Sequence, residues 1–161
     1  MSAAMSPVKT AFLIFVAFTA VYCGNYKPIE VEIKTNEGGV PLKIFSAEEI
    51  AKYDGTDPEK PIYLAMKGVV FDVTSGKSFY VKQSDYNVLA GKDASRAHAL
   101  WSLDEKDLTH DLTGLDDEQL KGLDDVYTGT YLAKYPIVGY MDHLIAKQSD
   151  DIKKRFTNDE L

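Results

Sequence analysis

Tyr80 and Tyr86, six residues apart in a polar stretch running from Thr74, are the side chains of this chain most open to a chemical role. The stretch holds Ser75, Gly76, Ser78, Gln83 and Ser84 and reads as a loop, and loops carry binding and catalytic groups more often than scaffolds do. Pattern alone gives these tyrosines a plain part, rings packed at a rim and hydroxyls sent to water. The three histidines, His98, His110 and His143, are not paired four residues apart. A zinc site needs three or four ligands, so surface or helix-cap positions are expected for them. Cys23 is the only cysteine, which excludes an intramolecular disulfide. Phosphate-binding loops, dinucleotide fingerprints, zinc-protease helices, nucleophile elbows and paired-cysteine motifs are all absent from the sequence. A non-enzymatic protein is expected.

The elements that must position these side chains are legible in patches. Ser46 with Glu49 forms a capping box ahead of Ile50 and Tyr53, with Asp54-Gly55 closing a short helix. After Pro61, two runs of β-branched and aromatic residues, Ile62 to Leu64 and Val69 to Val73, flank Lys67-Gly68, the signature of a two-residue hairpin turn. Asp93 is placed to cap a helix over residues 94–101, and Ser102 with Glu105 repeats the capping-box pattern. Leu120, Leu123, Val126, Tyr127 and Tyr131 recur at steps of three or four, predicting an amphipathic helix from Asp116 to about Tyr131. Ile137 to Tyr140 reads as a closing strand, and residues 141–161 as a charged tail, a fraying helix. Helix, hairpin, loop, short helices and a last strand make an α+β domain, a small sheet with several short helices, over 43–140.

Composition bounds the partners. With a net charge of −7 and a pI near 4.9, the chain is a poor ligand for nucleic acid, whose phosphates need clustered cations. Lys9 ahead of the apolar run Ala11 to Val21 reads as a signal peptide over residues 1–23, too short to span a bilayer comfortably, where about 20 apolar residues are needed. Membrane association is expected only if that segment stays uncleaved. Residues 24–42, with Pro28, Pro41 and Gly38-Gly39, read as an extended lead-in. The ending Asn158-Asp159-Glu160-Leu161 is similar to the KDEL class of retention tails, so the chain is expected to be secreted, with a possible return to the endoplasmic reticulum.

Tyr63 to Val73, Phe79-Tyr80, Tyr86, the run Ala90 to Arg96 and the run Lys134 to Tyr140 form an ordered set of blocks across residues 43–140. Together they resemble the membrane-associated progesterone receptor family, whose domain is cytochrome b5-like and binds haem or steroid. Leu108 to Asp111, Lys134 to Tyr140 and the signal-like start are most similar to its secreted branch. The resemblance implies a non-covalent b-type haem with Tyr86 as axial ligand to the iron, and Tyr80, Lys134 and Tyr135 in support. Tyr80 would donate a hydrogen bond to the ligating oxygen, and Lys134 would pair with a propionate. It also implies an extracellular signalling factor of neurotrophic type acting on a cell-surface receptor, or else a steroid-binding module on the same fold. Asp93 is expected to cap its helix and hold the Tyr86 loop. Two departures stand out. Val81 to Asp85 replaces the family's glycine and proline after the Phe-Tyr pair, and Ala97 stands where a glycine commonly follows the arginine. The His-Pro-Gly-Gly motif of true cytochrome b5 is missing, which argues against bis-histidine electron transfer. A haem peroxidase would need a distal His or Arg, and His98 with Arg96 is the candidate pair.

Overall fold

Lys67 and Gly68 both take positive φ, 54° and 76°, as a two-residue hairpin turn of the favoured kind requires. They join β2 (Tyr63–Met66) to β3 (Val69–Asp72) in antiparallel register, Met66 facing Val69 and Tyr63 facing Asp72. The closing strand β4 (Ile137–Met141) pairs antiparallel with β3, and the two-residue β1 (Ile44–Phe45) pairs parallel with β4. The sheet order is therefore β1-β4-β3-β2. In this computed structural model the described residues are 26–34 and 42–158, with side chains described as far as 150. The signal-like segment and the last three residues of the retention-like tail fall outside them.

Both faces of the sheet are covered. Strand alternation sends Leu64, Met66, Val69 and Phe71 into a larger core and Ala65 and Val70 into a smaller one with Phe45, Ile50 and Met141. The helix α1 (Ala47–Ile50) covers the smaller core. Its capping box is formed, Glu49 N–H donating to Ser46 Oγ at 3.2 Å and Ser46 N–H to the Glu49 carboxylate at 3.1 Å. Where β1 meets β4, a Cβ on Gly139 would lie 2.7 Å from the Phe45 ring and closer still to the Lys43 carbonyl. Gly139→Ala is thus expected to push β1 off the sheet and cost about 1–3 kcal/mol in a urea melt; an unchanged midpoint would contradict this packing.

The helical layer departs from the pattern in instructive ways. The polar stretch after Thr74 is wound rather than open, a 3-10 turn (Thr74–Gly76) leading into α2 (Lys77–Tyr80). The helix α3 (Ser95–Leu100) starts one residue later than predicted, with Ala94 rather than Asp93 at the N-cap position. The Asp93 carboxylate receives the Ser95 N–H and hydroxyl, but it also receives the Gly68 N–H at 3.1 Å and faces His143 Nε2 at 3.3 Å. Asp93 therefore ties the hairpin turn and the C-terminal helix to α3, rather than the Tyr86 loop. Ser102 makes no capping box: its Oγ takes the Asp104 N–H at 3.1 Å, and a single 3-10 turn (Glu105–Asp107) follows.

The helix predicted from Asp116 to about Tyr131 is two pieces, α4 (Asp117–Val126) and a π-helical turn (Tyr127–Tyr131), and α5 (Leu132–Lys134) carries on past its predicted end. Thr128, Gly129 and Thr130 are weak helix formers, and Thr128 Oγ1 donates to the Asp124 carbonyl at 2.8 Å, loosening the α-helical ladder there. Helix α6 (Asp142–Asn158) follows β4 directly, and Leu144 and Ile145 of its first turn pack on the larger core.

Residues 26–34 have no regular structure, yet they are tightly held. Ile29 N–H and the Tyr26 hydroxyl each donate to Asp124 Oδ2 at 2.7 Å, and the Lys67 ammonium bridges Asp124 Oδ1 and the Ile29 carbonyl. Lys34 N–H reaches the Tyr140 hydroxyl at 2.8 Å, and Val31 and Ile33 pack against the larger core. The segment is a strap bound to a buried ion pair.

Candidate functional site

The π-helical turn matters because it aims Tyr131 into a cleft between α3, α4 and the loop that carries Tyr86. Such turns are frequent at functional sites. The cleft has a volume of about 420 Å³, within the range of small-molecule sites. Leu89, Ala97, Val126, Trp101 and Leu103 give it apolar walls, while Tyr80, Tyr131 and His98 bring hydroxyls and an imidazole to it.

Tyr86 stands at the mouth, 45% exposed, its ring 6.5 Å from that of Phe79. Among the described residues its hydroxyl has no hydrogen-bond partner. The loop beneath it is firmly built despite lacking the family's glycines: Gln83 takes a left-handed φ of 75°, an arrangement costing on the order of 1 kcal/mol. The Ser84 hydroxyl at 2.6 Å from the Phe79 and Val81 carbonyls helps hold that turn. Asn87 donates to the carbonyls of Asp54 (2.9 Å) and Tyr80 (2.7 Å), clamping the loop to α2 and to the turn after α1. Below, residues 91–94 run along β2 through Gly91 N–H to the Tyr63 carbonyl at 2.7 Å and Ala65 N–H to the Lys92 carbonyl at 2.9 Å. The run Ala90 to Ser95 thus fastens the site to the sheet.

Tyr80 is buried, and its hydroxyl lies 3.2 Å from that of Tyr131. It is bonded there rather than to Tyr86, so the expected hydrogen bond onto the Tyr86 oxygen is not made. Tyr135 is half-buried one layer out, its ring 5.7 Å from that of Tyr131, and Lys134 is exposed at the end of α5. Neither lines the cleft. His98 is not the surface or cap residue its sequence context implies: it lines the cleft, Nε2 2.9 Å from the Tyr131 hydroxyl and Nδ1 2.8 Å from the Ala94 carbonyl. Arg96 is no partner for it there. The guanidinium faces Asp107 at 3.4 Å and the carbonyls of Asp111 and Thr113, away from the cleft. Trp101, 80% exposed and in the left-handed region at φ 52°, ends α3 at the cleft's rim.

Burial sets the electrostatics. It pushes the Tyr80 and Tyr131 phenols above their ordinary value of 10.0, so both are protonated at neutral pH. It also holds His98 below 6.5, against the opposing effects of the Ala94 carbonyl and the Asp93 charge. A histidine lowered by folding binds fewer protons than in the unfolded chain, so the stability it contributes is present above pH 6.5 and is lost as pH falls through its folded value. Thermal melts are therefore expected to drop between pH 7 and pH 5, and His98→Leu to flatten that window. Asp93 and Asp124, both held below 3.8 because their hydrogen bonds outweigh burial, lose their contributions only at more acid pH. A drop in melting temperature that persists in the leucine variant would contradict the assignment.

A second groove of about 540 Å³ lies by the smaller core, bordered by Ile50 and Met141, with His110 and His143 stacked at 3.9 Å. No group of three or more His, Cys, Asp or Glu among the described residues has metal-binding geometry.

Residues 46–142 match the family described as the cytochrome b5-like haem/steroid-binding domain. The chain belongs to this family. It is 52% identical over 95 residues to a probable steroid-binding protein of Arabidopsis thaliana, covering 59% of this chain and 94% of that one. A neuferricin homologue of Caenorhabditis elegans is 34% identical over 120 residues, 74% of this chain and 36% of that one. A solved hypothetical protein of Arabidopsis thaliana, described as having a cytochrome b5-like fold, superposes with a TM-score of 0.57 at 50% identity, covering 62% of this chain and 91% of that one. The chain spans half or less of several longer curated relatives. The family's fold, a small mixed sheet with several short helices, is the one seen here. No helix among the described residues is long and apolar enough to cross a membrane.

Proposed function

We propose that this protein binds a b-type haem in the cleft, with the Tyr86 oxygen as axial ligand to the iron, and that it is a non-enzymatic, secreted or ER-lumenal factor of the neudesin type. The observation that carries the reading is the Tyr86 phenol, held at the mouth of an apolar cleft with its hydroxyl uncommitted. The residues present fit the group: apolar walls for a macrocycle, a phenol to meet a metal, and a rigid clamp under that phenol through Asn87. Haem would supply a ferric centre, for which a phenolate is a hard anionic ligand as in catalase. Tyr86 provides the oxygen, Leu89, Ala97 and Val126 exclude water, and Trp101 and Phe79 extend the apolar rim. Tyr80 supports the floor rather than the ligand. Lys134 and Tyr135 reach haem only if their side chains move on binding, Lys134 toward a propionate.

Titration with haemin, followed by absorption and gel filtration, tests this: one equivalent should be retained with a shifted Soret band, and a spectrum equal to that of free haemin would refute it. Secretion and signalling through a cell-surface receptor rest on the N-terminal segment and on resemblance. Recovery of the chain from culture medium, cut near Cys23, tests the secretion.

A second reading, an apolar steroid in the same cleft, is favoured by its polar floor of Tyr80, Tyr131 and His98, which a steroid's terminal oxygen could meet. Several relatives are named as steroid-binding proteins. Both readings require an apolar ligand and no catalytic base.

A further inference from the structure

The Tyr80, Tyr131 and His98 side chains form one chain of hydrogen bonds, and its direction follows from a backbone atom. A carbonyl only accepts, so His98 Nδ1, 2.8 Å from the Ala94 oxygen, carries the imidazole proton. In the neutral ring Nε2 is then a bare lone pair, and the Tyr131 hydroxyl 2.9 Å away must donate to it. A hydroxyl has a single proton. Tyr131 has spent its proton on His98, so across the 3.2 Å contact it can only accept, and Tyr80 donates. Tyr80 then has no proton for anything else that enters the cleft, and its oxygen, which the Tyr135 hydroxyl also approaches, can only accept. Burial, which keeps His98 neutral and both phenols protonated, preserves this order at neutral pH.

From this polarity we infer that His98 is a specificity-determining residue: it makes the floor of the cleft a hydrogen-bond acceptor, so the site prefers apolar ligands that end in a hydroxyl over those that end in a ketone. The inference rests on the steroid reading of the cleft and names the class of steroid. A ketone meets lone pairs with lone pairs, whereas an alcohol supplies the missing proton. An unpaired polar contact in a buried site is the stronger discriminator, since the site's own groups cannot turn to suit the wrong ligand.

Androstanol and androstanone, differing only in a hydroxyl against a ketone at one end, are the probes. Calorimetric titration of the full chain at pH 7.5 should give the alcohol roughly tenfold higher affinity. His98→Phe removes the acceptor and frees the Tyr131 proton to turn toward Tyr80, whose own proton then faces the cleft. The ratio should fall to about one or invert. Tyr80→Phe, which deletes the terminal oxygen, should bring the ratio to about one even if the His98 variant does not fold. Nitrogen chemical shifts of the His98 ring in the unaltered protein should report the proton on Nδ1.

Equal affinities, a preference for the ketone, a proton on Nε2, or an alcohol preference that survives His98→Phe would each overturn the inference while leaving the steroid reading intact. Binding of neither steroid would overturn the steroid reading and the inference with it.

Discussion

Tyr86→Phe is expected to lower haem affinity by at least about a hundredfold and to abolish the bands of a phenolate-bound ferric haem. Loss of an outer partner to a metal ligand already costs 10–100-fold, and this change removes the ligating atom itself. The fold should be untouched. Tyr86 is 45% exposed, among the described residues its hydroxyl holds no hydrogen bond, and its ring contact with Phe79 survives in phenylalanine. The melting temperature should therefore move by less than a degree or two while the spectrum changes completely. A variant that bound haem as tightly and with the same spectrum would remove Tyr86 from the site, and one that unfolded would make Tyr86 a structural residue.

Asp124→Ala carries the largest expected loss of stability, about 3–5 kcal/mol. Removing one partner of a buried ion pair leaves the other charged and uncompensated. The Lys67 and Asp124 side chains are 9% and 2% exposed, and the Asp124 carboxylate also holds the Tyr26 hydroxyl and the Ile29 N–H. The strap of residues 26–34 should come loose with it, which hydrogen exchange at Ile29 and Lys34 and protease cutting in the strap would report. Lys67→Met, which leaves a bare carboxylate, should be comparably costly. The double change Lys67→Met with Asp124→Leu should recover part of the loss, because a well-packed apolar pair can replace an ionic one. Additive losses in the double variant, or intact protection of the strap in the single ones, would contradict this account. In the wild type the carboxylate sits below 3.8 because Lys67, Ile29 and Tyr26 outweigh its burial, so its contribution is full above that value and is lost as pH falls further.

What was legible in the sequence was local. Lys67-Gly68 between two β-branched runs gives the hairpin because few dipeptides tolerate two positive φ values in succession. Ser46 with Glu49 gives a cap because donor and acceptor lie three residues apart on the same turn. The same spacing at Ser102 and Glu105 misleads: a single 3-10 turn follows, and the Ser102 oxygen is taken by the Asp104 N–H instead. The periodic run ending at Tyr131 predicts helix correctly but not the π-turn, which arises where Thr128 to Thr130 relax the ladder. The tyrosine at the cleft was recognisable through an ordered set of family blocks, not through its own surroundings.

The floor of the cleft was not legible. His98 and Tyr131 are separated by 33 residues, and Tyr80 and Tyr131 by 51. Nothing local distinguishes a histidine on α3 that faces the cleft from one that faces water. The strap was invisible for the same reason, since Lys67, Ile29 and Asp124 meet only once the hairpin and α4 are assembled.

The most direct test of the central claim is where ferric haem sits. Its paramagnetism broadens nuclear resonances nearby, so amide spectra of the loaded protein should lose the signals of Leu89, Ala97, Trp101 and Val126 while keeping those of Ala47 and His143 in the second groove. Loss around His110 and His143 with the Tyr86 cleft unperturbed would contradict the account.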